Sequence, residues 1–133
     1  MLAVEDALDG LSWAEEIGGL EALIARSMAN YQALSAWVET TEWIDFLARD
    51  PKTHSNTSVC LKIIDPWFDR LDEDTRFKAV RRLAAIVAEE GAGYDIAGHR
   101  DAPAGLRIWC GATVEAADVE LSLIHISEPT RPY

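Results

Sequence analysis

The stretch Gly98-His99-Arg100-Asp101-Ala102-Pro103-Ala104-Gly105-Leu106-Arg107 sets two arginines and a histidine within nine residues of a chain whose formal net charge is -11 at pH 7. Cations gathered in so acidic a chain point to a bound anion. Arginine presents a planar fork of N–H donors that matches a carboxylate or a phosphate two bonds at a time, so His99, Arg100 and Arg107 together could grip a doubly anionic ligand. Pro103 and Gly105 mark a turn between two apolar runs, residues 94–97 and 106–110. If both runs are strands, the turn carries Arg100 back towards Arg107. The alternative is a solvated loop whose arginines pair with Asp95 or Asp101, since surface ion pairs are common and individually weak.

Three stretches carry a resemblance. They are Asn56-Thr57-Ser58-Val59-Cys60-Leu61-Lys62, then Glu90-Gly91-Ala92-Gly93-Tyr94-Asp95-Ile96, then Gly98-His99-Arg100 followed by Gly105-Leu106-Arg107-Ile108-Trp109-Cys110-Gly111-Ala112-Thr113. Together they resemble the C-terminal part of phosphoserine aminotransferases, class V pyridoxal-phosphate enzymes of the aspartate-aminotransferase-like fold, with the similarity running over residues 1–120. The resemblance implies that His99 and Arg100 help to bind a substrate phosphate and that Arg107 takes the α-carboxylate. It implies exchange of an amino group between O-phospho-L-serine and 2-oxoglutarate in serine biosynthesis, with glutamate as the other amino-acid substrate. Pyridoxal 5'-phosphate is the implied cofactor, and a homodimer the implied complete enzyme. No catalytic residue, cofactor ligand or metal ligand is carried over. Two other readings stay open: an aminotransferase of the same fold acting on a different distal group, or a free-standing, non-catalytic anion-binding domain.

A chain of 133 residues is one domain's worth, long enough for a core but short for a complete enzyme of that family. A fragment, inactive alone, is expected, with Met1 an internal methionine. The composition, 49% hydrophobic and 26% charged, is that of an ordinary globular domain. No apolar run approaches the roughly 20 residues that span a bilayer, and no signal peptide is visible, so neither a membrane nor a secreted protein is expected. Two cysteines make no disulfide framework, and a reducing cytoplasm is the expected location. Nucleic acid is disfavoured, because residues 1–50 carry ten acids against two arginines.

The elements that would position the basic turn follow from periodicity. Val4, Leu8, Leu11, Ala14 and Ile17 recur near a 3.6-residue period and predict an amphipathic helix over residues 2–17. After Gly18 and Gly19, a second helix striped by Leu20, Leu23, Ile24, Tyr31, Leu34 and Val38 runs to Thr40; both helices should pack on a core. A short strand is expected at 43–47 and a second at 58–65, where Val59, Leu61 and Ile63 alternate with Cys60, Lys62 and Ile64. Asp72 suits the N-cap of a helix over 73–90, buried along Phe77, Val80, Leu83, Ala84 and Val87 and stopped by Gly91 and Gly93. On the last strand Arg107 and Trp109 share a face opposite Leu106, Ile108 and Cys110, so Arg107 points out of the core. Thr113 is expected to cap a final helix from Val114.

The predicted fold is an α/β small domain. A short, mainly antiparallel sheet has helices on one side and is preceded by two connecting helices, with boundaries at 1–41 for the connecting helices and 42–120 for the domain. Several tempting residues are set aside. Lys62 is not taken as the lysine that anchors pyridoxal phosphate, because the family's lysine lies upstream of the matched segment and a strand lysine among apolar residues usually snorkels to solvent. Cys60 and Cys110 read as small buried apolar residues, with no histidine at metal-ligand spacing. In the basic cluster of Arg76, Lys78, Arg81 and Arg82, Arg76, Lys78 and Arg82 lie largely off the buried stripe, as a solvated helix face requires. Residues 121–133, LSLIHISEPTRPY, contain Pro129 and Pro132 and resemble the conceptual translation of a sequencing-library adapter. They are expected to be a non-native tail that does not continue the helix, though able to fold back on an apolar patch, and His125 is given no role.

Overall fold

The computed structural model describes residues 1–127. Two helices, α1 (Leu2–Glu16) and α2 (Gly19–Thr40), open the chain. Between them Gly18 and Gly19 adopt φ of 119° and 74°, backbone angles that a Cβ disfavours. The apolar stripe of α1 does not reach a core: the helix has no buried residue, and Leu2, Val4, Leu8 and Leu11 are all exposed. On α2 the buried face is only in part the expected one. Leu34 and Val38 are inside, but Leu20 and Ile24 are exposed and the polar Ser27 and Asn30 occupy the buried stripe.

Three strands, β1 (Ile44–Phe46), β2 (Ser58–Ile63) and β3 (Gly105–Trp109), form an antiparallel sheet in the order β1-β2-β3. The register pairs Ile44 with Ile63, Cys60 with Arg107 and Leu61 with Leu106. The two-residue period then sorts the faces: Ile44, Val59, Leu61, Leu106 and Ile108 are buried, while Asp45, Cys60 and Trp109 are exposed. Helix α2 packs on β1, a later helix at Glu73–Glu89 packs on β3, and the last helix, Ala116–Ser127, packs on both of these helices. The expected α/β arrangement, a small antiparallel sheet with helices on one side, is thus the observed one. Gly105 opens β3 because a Cβ there would stand 2.2 Å from the Leu61 carbonyl oxygen, so only glycine lets the strand start this close to β2.

Local signals place the intervening helices. Asp65 and Pro66 start the short α3 (Pro66–Asp69), and Asp50 and Pro51 start a 3-10 turn at Pro51–Thr53. Helix α4 (Glu73–Glu89) begins at Asp72, whose side chain accepts the Thr75 N–H at 2.9 Å. Hydrogen bonds from Thr75 hold the Asp72 carboxyl below its ordinary value, so the cap is intact at neutral pH and weakens as pH falls through that lowered value. At the other end the Gly91 N–H bonds Ala88 O and the Ala92 N–H bonds Val87 O, with Gly91 at φ 69°. This is a Schellman stop with Ala92 buried beside Val87.

Two expectations fail near the C-terminus. Helix α5 (Ala116–Ser127) begins two residues later than predicted, at Ala116, and exposed Thr113 is not its cap. It also continues through residues 121–127, because Val119, Leu123 and Ile126 fall on one face and are buried. Side chains fasten it as well. Trp37 Nε1 donates to Ser127 Oγ at 2.6 Å, Ser122 Oγ donates to Ala92 O, and His125 Nδ1 lies 2.6 Å from Glu90 Oε2. His125, given no functional role, therefore has a structural contact. Pro129 and Pro132, on which the non-helical expectation rested, lie outside the described residues.

Candidate functional site

Arg107 sits on the outward face of β3, the edge strand, as the alternation of Leu106 and Ile108 required. Its side chain is 31% exposed and lines a cleft of about 710 Å³ between β3, the loop after α4 and the first half of α5. Tyr94, Asp95, Trp109, Asp118 and Ser122 line it too. Trp109 forms a wall because Gly111 leaves room beneath it; a Cβ at Gly111 would stand 2.5 Å from the indole.

The guanidinium has one carboxylate partner in this cleft. Arg107 Nη2 donates to Asp95 Oδ2 at 3.0 Å. Asp95 takes φ 55°, the left-handed region that aspartate tolerates better than most residues. Its neighbour is pinned to the same strand position, with the Arg107 backbone N–H donating to Ile96 O at 2.7 Å. Asp95 is 84% exposed, and pairs of that kind are worth about 0–1 kcal/mol.

The other two predicted residues are elsewhere. Residues 94–97 do not form a strand, because Tyr94 and Asp95 are in a turn; pairing is reduced to a bridge between Ala97 and Leu106 and a Gly98 N–H to Gly105 O bond at 3.0 Å. The turn still reverses the chain as expected. His99 and Arg100, 60% and 86% exposed, lie at its tip. Arg100 Nε is 3.7 Å from Asp101 Oδ2, and His99 Nδ1 accepts the Asp101 N–H at 3.2 Å. With Nδ1 acting as an acceptor, its 3.7 Å approach to Asp101 Oδ2 is proximity rather than an ion pair. Arg100 borders a separate hollow of about 130 Å³ against α4, together with Arg81. The structure therefore brings Arg107 to the cleft and leaves His99 and Arg100 outside it, with both pairings of the solvated-loop alternative formed.

The cleft is held from behind by α2. Asn30, fully buried, donates its amide to Cys110 O at 3.2 Å, Gly111 O at 3.1 Å and Val114 O at 2.9 Å. Ser27 Oγ donates to Asn56 O and Cys110 O, while Arg26 reaches Ala112 O and Glu115, each at 2.6 Å. The segment between β3 and α5 is thereby tied to α2 by side chains that sequence reasoning missed. Their partners in that segment lie 80 or more residues away, where no local pattern reports them.

Cys110 is fully buried as expected, and burial pushes its thiol up to about 11. Cys60 corrects the same expectation: it is exposed on the outward face opposite Arg107. Native chain treated with a thiol reagent at pH 8 is expected to be modified once, at Cys60, and twice only after unfolding. Rapid native labelling of both would show that Cys110 is not sealed.

No family model matches the chain. Over 120 residues, 90% of its length, it is 43% identical to a phosphoserine aminotransferase of Methanosarcina mazei and 45% identical to that of Methanosarcina barkeri. Phosphoserine aminotransferases are homologues of this chain. It spans about 30% of the length of these curated relatives. A solved structure of a phosphoserine aminotransferase, described for radiation damage of its Schiff base, is similar with a TM-score of 0.66 over 90% of this chain and 31% of that one. At 16% identity this second likeness bears on the fold alone.

Proposed function

We propose that this chain is the substrate-anion-binding part of a phosphoserine aminotransferase, which exchanges an amino group between O-phospho-L-serine and 2-oxoglutarate. The observation that carries the reading is the half-buried Arg107 guanidinium at the cleft, in a chain 43–45% identical to enzymes of that name. Arg107 takes the α-carboxylate common to every amino-acid substrate. His99 and Arg100, exposed and weakly held at the turn's tip, reach for the distal phosphate or carboxylate in the complete enzyme, which we take to be a cytoplasmic homodimer. Charge at both ends of the substrate fixes its orientation, where positioning contributes most.

Pyridoxal phosphate needs a lysine. Lys52 and Lys78 are exposed, Lys62 pairs across the sheet with Asp45 and Gly105, and none of the three lines the cleft. The residues present thus do not form that cofactor's site, and in this reading the cofactor is held by the portion of the enzyme beyond this segment. Mixing the purified chain with pyridoxal phosphate and reducing with borohydride is expected to give no stoichiometric single-site label. A full label on Lys62 would overturn the assignment.

The direct test replaces the matching 120 residues of the Methanosarcina mazei relative with those of this chain. The chimera is expected to transaminate phosphoserine and 2-oxoglutarate. A folded chimera that binds pyridoxal phosphate and still does not turn over phosphoserine refutes the proposal.

A further inference from the structure

The contact that stands out at the site is the one Arg107 makes with its own chain. Asp95 and Arg107 are twelve residues apart, join through one Nη2–Oδ2 bond at 3.0 Å, and both line the cleft. Among the described residues Asp95 has no other side-chain partner in the hydrogen-bond or ion-pair geometry, and at 84% exposure it can turn to solvent without giving up buried contacts. Arg107 cannot retreat as easily, since its backbone is fixed to Ile96 and to β2. The pair is therefore asymmetric, with one partner anchored and the other free to leave.

We infer that Asp95 is a displaceable counter-ion that sets the affinity of the Arg107 site for carboxylates. Without ligand it neutralises the guanidinium and holds it at the cleft. An incoming carboxylate takes over the Nη2 donor, adds a second bond to the fork, and turns Asp95 out into water. Every carboxylate ligand then binds against this internal competitor, and its affinity is lower by the factor with which the competitor occupies the site. Asp118 also lines the cleft, but no bond links it to Arg107, so its charge acts on bound anions only at longer range. The inference rests on the reading of Arg107 as a carboxylate site and goes on to identify what regulates it.

The test uses the full chain, labelled with ¹⁵N, with glutarate as the probe and the backbone amide resonances of residues 94–97 and 105–109 as the readout. Asp95→Asn removes the competing charge while keeping shape and the tolerance of a left-handed backbone, and is expected to tighten glutarate binding about three- to five-fold, the range an exposed ion pair allows. Asp101→Asn makes the same change in net charge beside Arg100 and is expected to leave the affinity within error of the parent chain. Arg107→Gln is expected to abolish binding. Tightening by Asp101→Asn as large as by Asp95→Asn would reduce the effect to overall charge and overturn the inference, and so would Asp95→Asn binding equal to or weaker than the parent's. If Arg107→Gln binds like the parent, or neither the parent nor Asp95→Asn binds glutarate, the carboxylate-site reading itself fails.

Discussion

In a complete aminotransferase carrying this segment, Arg107→Ala lowers kcat/KM by about one to two powers of ten, equivalent to losing one or two charge-assisted hydrogen bonds in the transition state. The loss is uniform. Phosphoserine, glutamate and alanine all present an α-carboxylate, so steady-state assays should show all three falling together. Arg100→Ala is the contrast, because a distal anion is present on phosphoserine and glutamate and absent from alanine. Its effect should fall on the first two and spare the third, with His99→Ala weakening phosphoserine most. An Arg107→Ala enzyme that keeps its activity towards alanine would mean that the α-carboxylate is bound by another group.

The second large effect is on stability. Asn30→Ala removes the donor shared by three backbone carbonyls; Cys110 O keeps Ser27 Oγ and Gly111 O keeps the Val114 N–H, so the main loss falls on Val114 O, and a buried acceptor left unpaired costs about 1–3 kcal/mol. A loss of about 1–3 kcal/mol is expected, read from urea unfolding as a lower midpoint with an unchanged slope. The change should also loosen the segment after β3, so amide exchange at residues 110–114 should rise before global unfolding. If midpoint and exchange both match the parent chain, Asn30 is a passenger rather than a clamp.

How much of this was legible in the sequence depended on how far away the partner lies. Helix α4 could be read almost to the residue, because Asp72 and Gly91 act on backbone groups within one turn. The outward direction of Arg107 was legible for the same reason, since strand alternation is a property of adjacent residues. The same alternation puts Cys60 with Lys62 and away from Val59 and Leu61; the preference of cysteine for burial argued the other way, and register won. Asn30 and Ser27 could not be found by period, because a polar residue on a buried stripe is explained only by carbonyls far along the chain. Helix α1 failed in the opposite sense. Its 3.6-residue pattern is real, but a pattern states which face is apolar and not whether anything covers it. The continuation of α5 was hidden by Pro129 and Pro132, which drew attention from the Val119, Leu123 and Ile126 face preceding them.

The base of the basic turn is bolted and its tip is not. Ile96, Ala97 and Gly98 are bonded to Gly105, Leu106 and Arg107, whereas His99 to Asp101 bond chiefly among themselves. Residues can thus be inserted, deleted or exchanged at the tip without transmitting a displacement to the strand below. Under the proposed roles of these residues, natural selection working on such a hairpin can retune which side chain of a substrate is preferred while the grip on the part common to all amino acids is inherited unchanged.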